Sequence, residues 1–294
     1  MRERRLAQAL LLICPGLLAS NMLVARLTHE LVPPVALALG RWGLSLLLLL
    51  PFTGLALWRL RAEVGREWRD LLVLGGLGMG VCGAFVYIGA DATTATNIGL
   101  IYAASPILIV LLARLGYGER LRPWQILGVM LCLLGVLIII ARGDPQNLWW
   151  LRFNAGDLWI LAATVAWAGY SVLLRHRPSR LSPSLRFTAI CLAGVLVLLP
   201  AWGLELLGGA MPVLNRETVM AVVFLAVVSS LLAYQVYGRI QRSLGAGPTG
   251  VVMYLVPVYN GALAWLLLGE QPHGYHLLGA GTVLPGLYLA TRWR

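Results

Sequence analysis

The residues from Pro106 to Gly135 return, without a gap, 151 positions further along the chain. Pro106 falls on Pro257, Gly118-Glu119 on Gly269-Glu270, Leu127-Gly128 on Leu278-Gly279 and Gly135 on Gly286. Just upstream, Gly99 falls on Gly250. The segment ahead of this one repeats more weakly at an offset of 149: Ala19 on Ala168, Arg26 on Arg175, Pro34 on Pro183 and Pro51 on Pro200. Proline and glycine matches weigh most, because each governs a local backbone conformation, whereas leucines coincide by chance in so apolar a chain. One module is written twice, so the fold must be one that two copies of the same unit can build together.

The unit is apolar along its whole length. Charged residues make up 12% of the chain, about half the share of a soluble domain, and mean hydropathy is +0.80. Too few charges remain to cover a water-facing surface. Apolar runs near 20 residues recur throughout, the length a helix needs to cross about 30 Å of hydrocarbon. Ten spans are expected, at about 6–25, 33–56, 70–89, 95–113, 123–141, 156–174, 184–206, 217–237, 247–268 and 274–291. The first follows Arg2, Arg4 and Arg5 as a signal peptide would, but no small-residue cleavage site with a soluble domain comes after it, so it is read as a span.

Charge sets the orientation. The chain has 23 arginines and no lysine. With the amino terminus inside, 18 arginines lie in inside segments and 4 in outside segments, which predicts both termini in the cytoplasm. The net charge of +11 is therefore read as topology and attraction to anionic lipid, not nucleic acid. The missing lysine removes a P-loop and any Schiff-base chemistry, so no nucleotide and no cofactor is expected. Cys14, Cys82, Cys132 and Cys191 sit in apolar spans without metal-ligand spacing and read as small core residues. Five spans per copy is odd, so the second copy must enter the membrane from the opposite side. The expected fold class is all-α and integral to the membrane: two inverted five-helix repeats, 1–145 and 156–294, joined by an external linker at 146–155, around a central cavity. Alternating-access carriers are built this way, with the substrate near the midplane.

The pattern of Pro, Gly-Glu, Gly and Gly at Pro106–Gly135, repeated at Pro257–Gly286, resembles the EamA-type half of the drug/metabolite transporter superfamily over nearly the whole chain. Gly75-Gly76-Leu77-Gly78-Met79-Gly80 in the third span, and aromatic inner faces, look most like the YddG-type aromatic amino-acid exporters. That resemblance implies an inner-membrane carrier exporting aromatic amino acids, methionine and related amphipathic metabolites. It also implies a cavity lined by the first, third, fourth, sixth, eighth and ninth spans.

Candidate site residues follow from helical spacing on those spans. Met79, Gly83 and Tyr87 share one face of the third. Asn97 and Tyr102 precede Pro106 in the fourth. Trp167 and Tyr170 lie on the sixth, Ser230 and Tyr234 on the eighth, and Tyr254 on the ninth. Aromatic walls with a few hydroxyls suit an apolar or aromatic ligand. Pro106 and Pro257 each remove a helix bond at matched depth, and duplicated kinks point to a binding site. Arg41 lies eight residues in from Pro33, about 12 Å along a helix. A guanidinium at that depth costs about 2.5–3.5 kcal/mol on insertion scales and must have partners, either a substrate carboxylate or backbone carbonyls. Asn21, at the far end of span one, is the second polar candidate. Glu119, Glu270, Asp91 and Asp157 lie at span ends. With no acid or histidine at the midplane, the expected carrier is a monomer driven by its substrate's own gradient. The alternatives are a multidrug or quaternary-ammonium exporter, which would need an acid at the cavity, and, more remotely, a membrane scaffold or an intramembrane enzyme. Against the last, HExxH is absent and His29, His176, His273 and His276 lie in loops or at span ends.

Overall fold

The computed structural model describes residues 2–28, 30–93, 95–120, 122–150, 152, 154–259, 262, 266 and 273–291. Most of the second half of the ninth expected span, with Gly261, Gly269 and Glu270, lies outside the described residues. Every regular element described is helical. We label α1 (Arg2–Thr28), α2 (Pro34–Arg59), α3 (Trp68–Ala92), α4 (Ala95–Ala103), α5 (Ser105–Tyr117), α6 (Pro123–Ile140), α7 (Ala155–His176), α8 (Pro183–Leu207), α9 (Arg216–Leu244), α10 (Ala246–Gly250) and α11 (Gly274–Thr291). Six of these, α2, α3, α6, α7, α8 and α9, are long and apolar enough to cross a membrane, and shorter apolar stretches cover Ala9–Asn21 and Ile101–Tyr117. Local signals explain the starts. Pro34, Pro123 and Pro183 stand in the first turns of α2, α6 and α8, where a missing N–H costs nothing, while Asn154 and Asn215 accept from the amides of Asp157 and Thr218 to cap α7 and α9. Phe52, Leu115 and Leu207 lie open on the surface, a distribution that suits hydrocarbon and not water.

The contacts sort the connections into two ends. At one, Glu67 accepts from Ser179 Oγ and the Arg180 amide at 2.6 and 2.7 Å, Arg177 pairs with Asp70, and His176 meets Glu119 at 2.9 Å while stacking on Tyr117. The segments at 59–70 and 117–120 therefore share this arginine-rich end. At the other, Glu205 of α8 accepts from the amides of Val35 and Ala36, and Asp157 gathers Thr93 Oγ1, Asn97 Nδ2 and the Asn154 amide. Replacing Asp157 by alanine should cost about 1–3 kcal/mol, because a helix cap and the bonds to α4 go together. Thermal unfolding in detergent tests this, with Asp157→Asn recovering part of the loss through its remaining cap oxygen.

Two features recur at the sequence offsets. First, α3 and α9 each widen into a π-helical segment, Gly76–Val81 and Leu225–Leu232, whose first residues are 149 apart. Second, α6 and α11 pack through Gly128, Gly135, Gly279 and Gly286. A methyl group at Gly128 would stand 2.6 Å from the Gly286 carbonyl oxygen, and one at Gly135 would stand 2.6 Å from that of Gly279. The earlier glycine of each helix thus meets the later glycine of the other, so the helices run antiparallel with backbones in contact. The sequence expected one span at 95–113, kinked by Pro106. The helix instead breaks at Ala104, where the amide turns to the Ile101 carbonyl, because Pro106 supplies no donor one turn further on. The backbone ahead of Pro257 tightens into a 3₁₀ turn over Val251–Leu255.

Candidate functional site

Arg41 is the centre from which the site is built. α2 buries it to 4% exposure, about two turns from Pro34. A guanidinium carries five donors. Here Nη1 donates to Asn21 Oδ1 (2.9 Å) and to the Tyr87 hydroxyl oxygen (3.0 Å), Nε to Ser230 Oγ and Nη2 to the Ser229 carbonyl (2.8 Å). Tyr87 in turn donates to Asn21 at 2.7 Å. The charge is thus solvated by neutral oxygens from α1, α3 and α9, with no carboxylate among those partners.

The π segment of α9 makes this possible. The Ala233 amide reaches the carbonyls of Val228 and Ser230, leaving the Ser229 carbonyl between them for Arg41. Ser230 Oγ donates back to the Leu225 carbonyl, so its lone pairs face the guanidinium. The matching π segment of α3 offers the Gly78 carbonyl to the Tyr234 hydroxyl at 3.4 Å.

Beside Arg41 lies a cavity of about 70 Å³, lined by Asn21, Gly83, Tyr102, Trp167, Tyr234 and the apolar Met253 and Val256. Its contributing helices include α2, through Arg41, in addition to the spans expected to line it. Gly83 is needed there, since a side chain would meet Trp42 Nε1 at 3.0 Å. Edge-on and tilted aromatics close one side: Trp42 on Tyr234 with centroids 4.9 Å apart, Trp167 on Tyr234 at 5.5 Å, and Trp167 on Tyr237 at 4.9 Å. Tyr170 and Phe187 back this wall. Beyond it, Tyr170 and Tyr234 also face a second, larger cavity of about 270 Å³ at the arginine-rich end.

The structure brings Asn21, Arg41, Gly83, Tyr87, Tyr102, Trp167, Tyr170, Ser230 and Tyr234 together. Met79 is placed elsewhere: it is buried between α3 and α8 against Gly194. Asn97 bonds Asp157 and the Arg152 carbonyl at the end away from the arginines. Tyr254 packs in the cluster of Cys132 and Val283, beside the α6–α11 pair. Sequence reasoning missed Trp42, Phe187 and the Ser229 carbonyl. The Ser229-Ser230 pair in an apolar span was a readable signal for the last of these. Among the described residues no group of three or more His, Cys, Asp or Glu could hold a metal ion.

The model of the EamA-like transporter family matches residues 6–141 and again 154–292. The chain belongs to the EamA-like transporter family. It is a multi-pass membrane transporter and not an enzyme, handling a small-molecule substrate within a lipid bilayer. A relative from Archaeoglobus fulgidus, named an uncharacterized transporter, is 29% identical over 93% of each chain. A relative from Escherichia coli, named a probable amino-acid metabolite efflux pump, is 26% identical over 66% of this chain and 68% of its own. A solved crystal structure shares the fold, with a TM-score of 0.74 at 22% identity over 98% of this chain and 97% of that one.

Proposed function

We propose that this EamA-like chain is an exporter of small amphipathic metabolites, aromatic amino acids and methionine foremost, working by alternating access between two inverted five-helix repeats. The halves are 1–145 and 156–294, with ten spans and both termini in the cytoplasm of an inner membrane. Three observations support the inversion: the crossed glycine contacts of α6 and α11, the π segments at the repeat offset, and the arginine-rich end. The single observation that carries the substrate reading is Arg41, a buried cation without a carboxylate, beside an aromatic-walled cavity. An incoming carboxylate supplies the missing counter-charge, and charge-assisted bonds are about twice as strong as the neutral ones it replaces. Trp167, Tyr102 and Tyr234 would then hold an apolar or aromatic side chain. The amino-acid metabolite efflux pump named among the relatives points the same way.

A quaternary-ammonium substrate fits less well, because among the described residues no Asp or Glu lines either cavity. Purified protein in liposomes loaded with labelled phenylalanine or methionine should release them without an imposed pH gradient, and tetraphenylphosphonium should not compete. Release that requires a pH gradient would mean a proton-carrying group has been overlooked. Release of tetraphenylphosphonium alone would assign the carrier to cations.

A further inference from the structure

The larger cavity, about 270 Å³, shares Tyr234 with the smaller one but is not lined by Arg41. Its wall holds three guanidinium groups, Arg175, Arg186 and Arg242, and, among the described residues, no carboxylate; its floor is Tyr170, Phe187 and Tyr234. The nearby acids are engaged at the rim: Glu67 with Ser179 and Arg180, Asp70 with Arg177, Glu63 with Arg66. Arg186 is held by the carbonyls of Leu174 and Arg177, at 3.1 and 3.0 Å, while its buried Nε has no partner. A buried N–H without an acceptor costs free energy that an incoming oxygen recovers. Glu67 and Asp70 act on Arg186 from the rim, and an anion placed among the three guanidinium groups is attracted by all of them.

Taking the carrier reading above as its basis, we propose that this vestibule is a second binding station, specific for the carboxylate end of an amphipathic monocarboxylate, which it passes by rotation of Tyr234 to Arg41. The aromatic floor takes the apolar body, and the guanidinium groups take the carboxylate. Neither station carries an acid, so an ammonium group adds nothing to recognition. A deaminated aromatic acid therefore binds at least as well as the matching amino acid, and the matching amine binds poorly. Tyr234 lines both stations, so a ligand leaving the first is handed on past this side chain.

The test is calorimetric titration of the full-length protein in detergent, in an Arg41→Met background that disables the central station. The probes are 3-phenylpropionate, phenylalanine and 2-phenylethylamine. The acid should bind, and the amine should bind at least about tenfold more weakly. Arg242→Glu added to this background should weaken the acid by about tenfold or more and strengthen the amine, a gain that misfolding cannot produce. Equal binding of acid and amine, or affinities unmoved by Arg242→Glu, would overturn the vestibule station. Wild-type flux of phenylalanine in liposomes judges the carrier reading separately. Flux with failed titrations sinks the vestibule alone, whereas intact titrations without flux sink the carrier and leave a binding site.

Discussion

Arg41→Met should abolish carboxylate-dependent flux, by about 100-fold or more, while lowering stability by only about 1–3 kcal/mol. Two magnitudes set these expectations. In the substrate-free protein, four guanidinium donors meet neutral oxygens on three other helices. Removing the guanidinium sounds severe, yet little is orphaned. Asn21 Oδ1 keeps the Tyr87 hydroxyl and Ser230 keeps the Leu225 carbonyl, so the Ser229 carbonyl is the main group left bare. A buried charge without a counter-ion is itself costly, and methionine of similar volume removes that cost. The functional loss is larger, because a bound carboxylate would lose its only cation, worth about 2–5 kcal/mol for a buried charged pair. Arg41 ties α1, α3 and α9 to α2. On the proposed function, a bound carboxylate would replace those neutral partners and free the helices to move. The cavity of about 70 Å³ is too small for a phenylalanine, so some such release must accompany binding. Flux and apparent affinity in liposomes, with melting in detergent, separate the two roles. Arg41→Lys, which keeps the charge but not the planar fork, should retain partial flux. Flux unchanged in Arg41→Met would reduce the residue to a structural tie.

Much of this architecture was readable in advance, for reasons that also explain the misses. Apolar run length reports directly on membrane thickness, so six long helices fall where the hydropathy placed spans. Prolines and glycines announced the break at Ala104 and the repeated glycines now seen between α6 and α11. Arg41, Asn21 and Tyr87 stood out because a polar group inside an apolar run needs partners, and they turn out to be one another's. Tertiary packing was not readable. Met79 lies on the helical face of Gly83 and Tyr87, but α8 presents Gly194 to it and draws it out of the cavity. Asn97 was placed by its nearness to Pro106 in sequence, whereas Asp157, 60 residues away, captures it at the helix end. The π segments were also invisible, since no residue type requires them, and they are what free the Ser229 carbonyl for Arg41.

Gly128→Val should prevent assembly of a stable protein, whereas Gly116→Val should change stability by no more than about 0.5 kcal/mol. Both are helical glycines in the first half, so intrinsic propensity treats them alike. Their surroundings differ. A Cβ at Gly116 meets nothing within 4 Å. At Gly128 it would stand 2.6 Å from the Gly286 carbonyl oxygen and press on the Ala290 amide. These are backbone atoms of a regular helix and cannot step aside as a side-chain tip can. Relief requires α6 and α11 to separate along their length, which would also part Gly135 from Gly279 and expose the Cys132 and Val283 cluster. Overpacking typically costs about 1–3 kcal/mol even where side chains can adjust, and here they cannot. Little opposes separation, since lipid solvates apolar helix faces as well as another helix does and close backbone packing supplies most of the attraction. Gly286→Val should fail in the same way, because it places the same methyl group on the other side of the same contact, 2.7 Å from the Gly128 carbonyl oxygen. Size-exclusion profiles in detergent, with Gly116→Val as the matched control, test all three. A monodisperse Gly128→Val protein with wild-type melting would mean that α6 and α11 do not meet through these glycines, and the antiparallel contact between the two halves would lose its support.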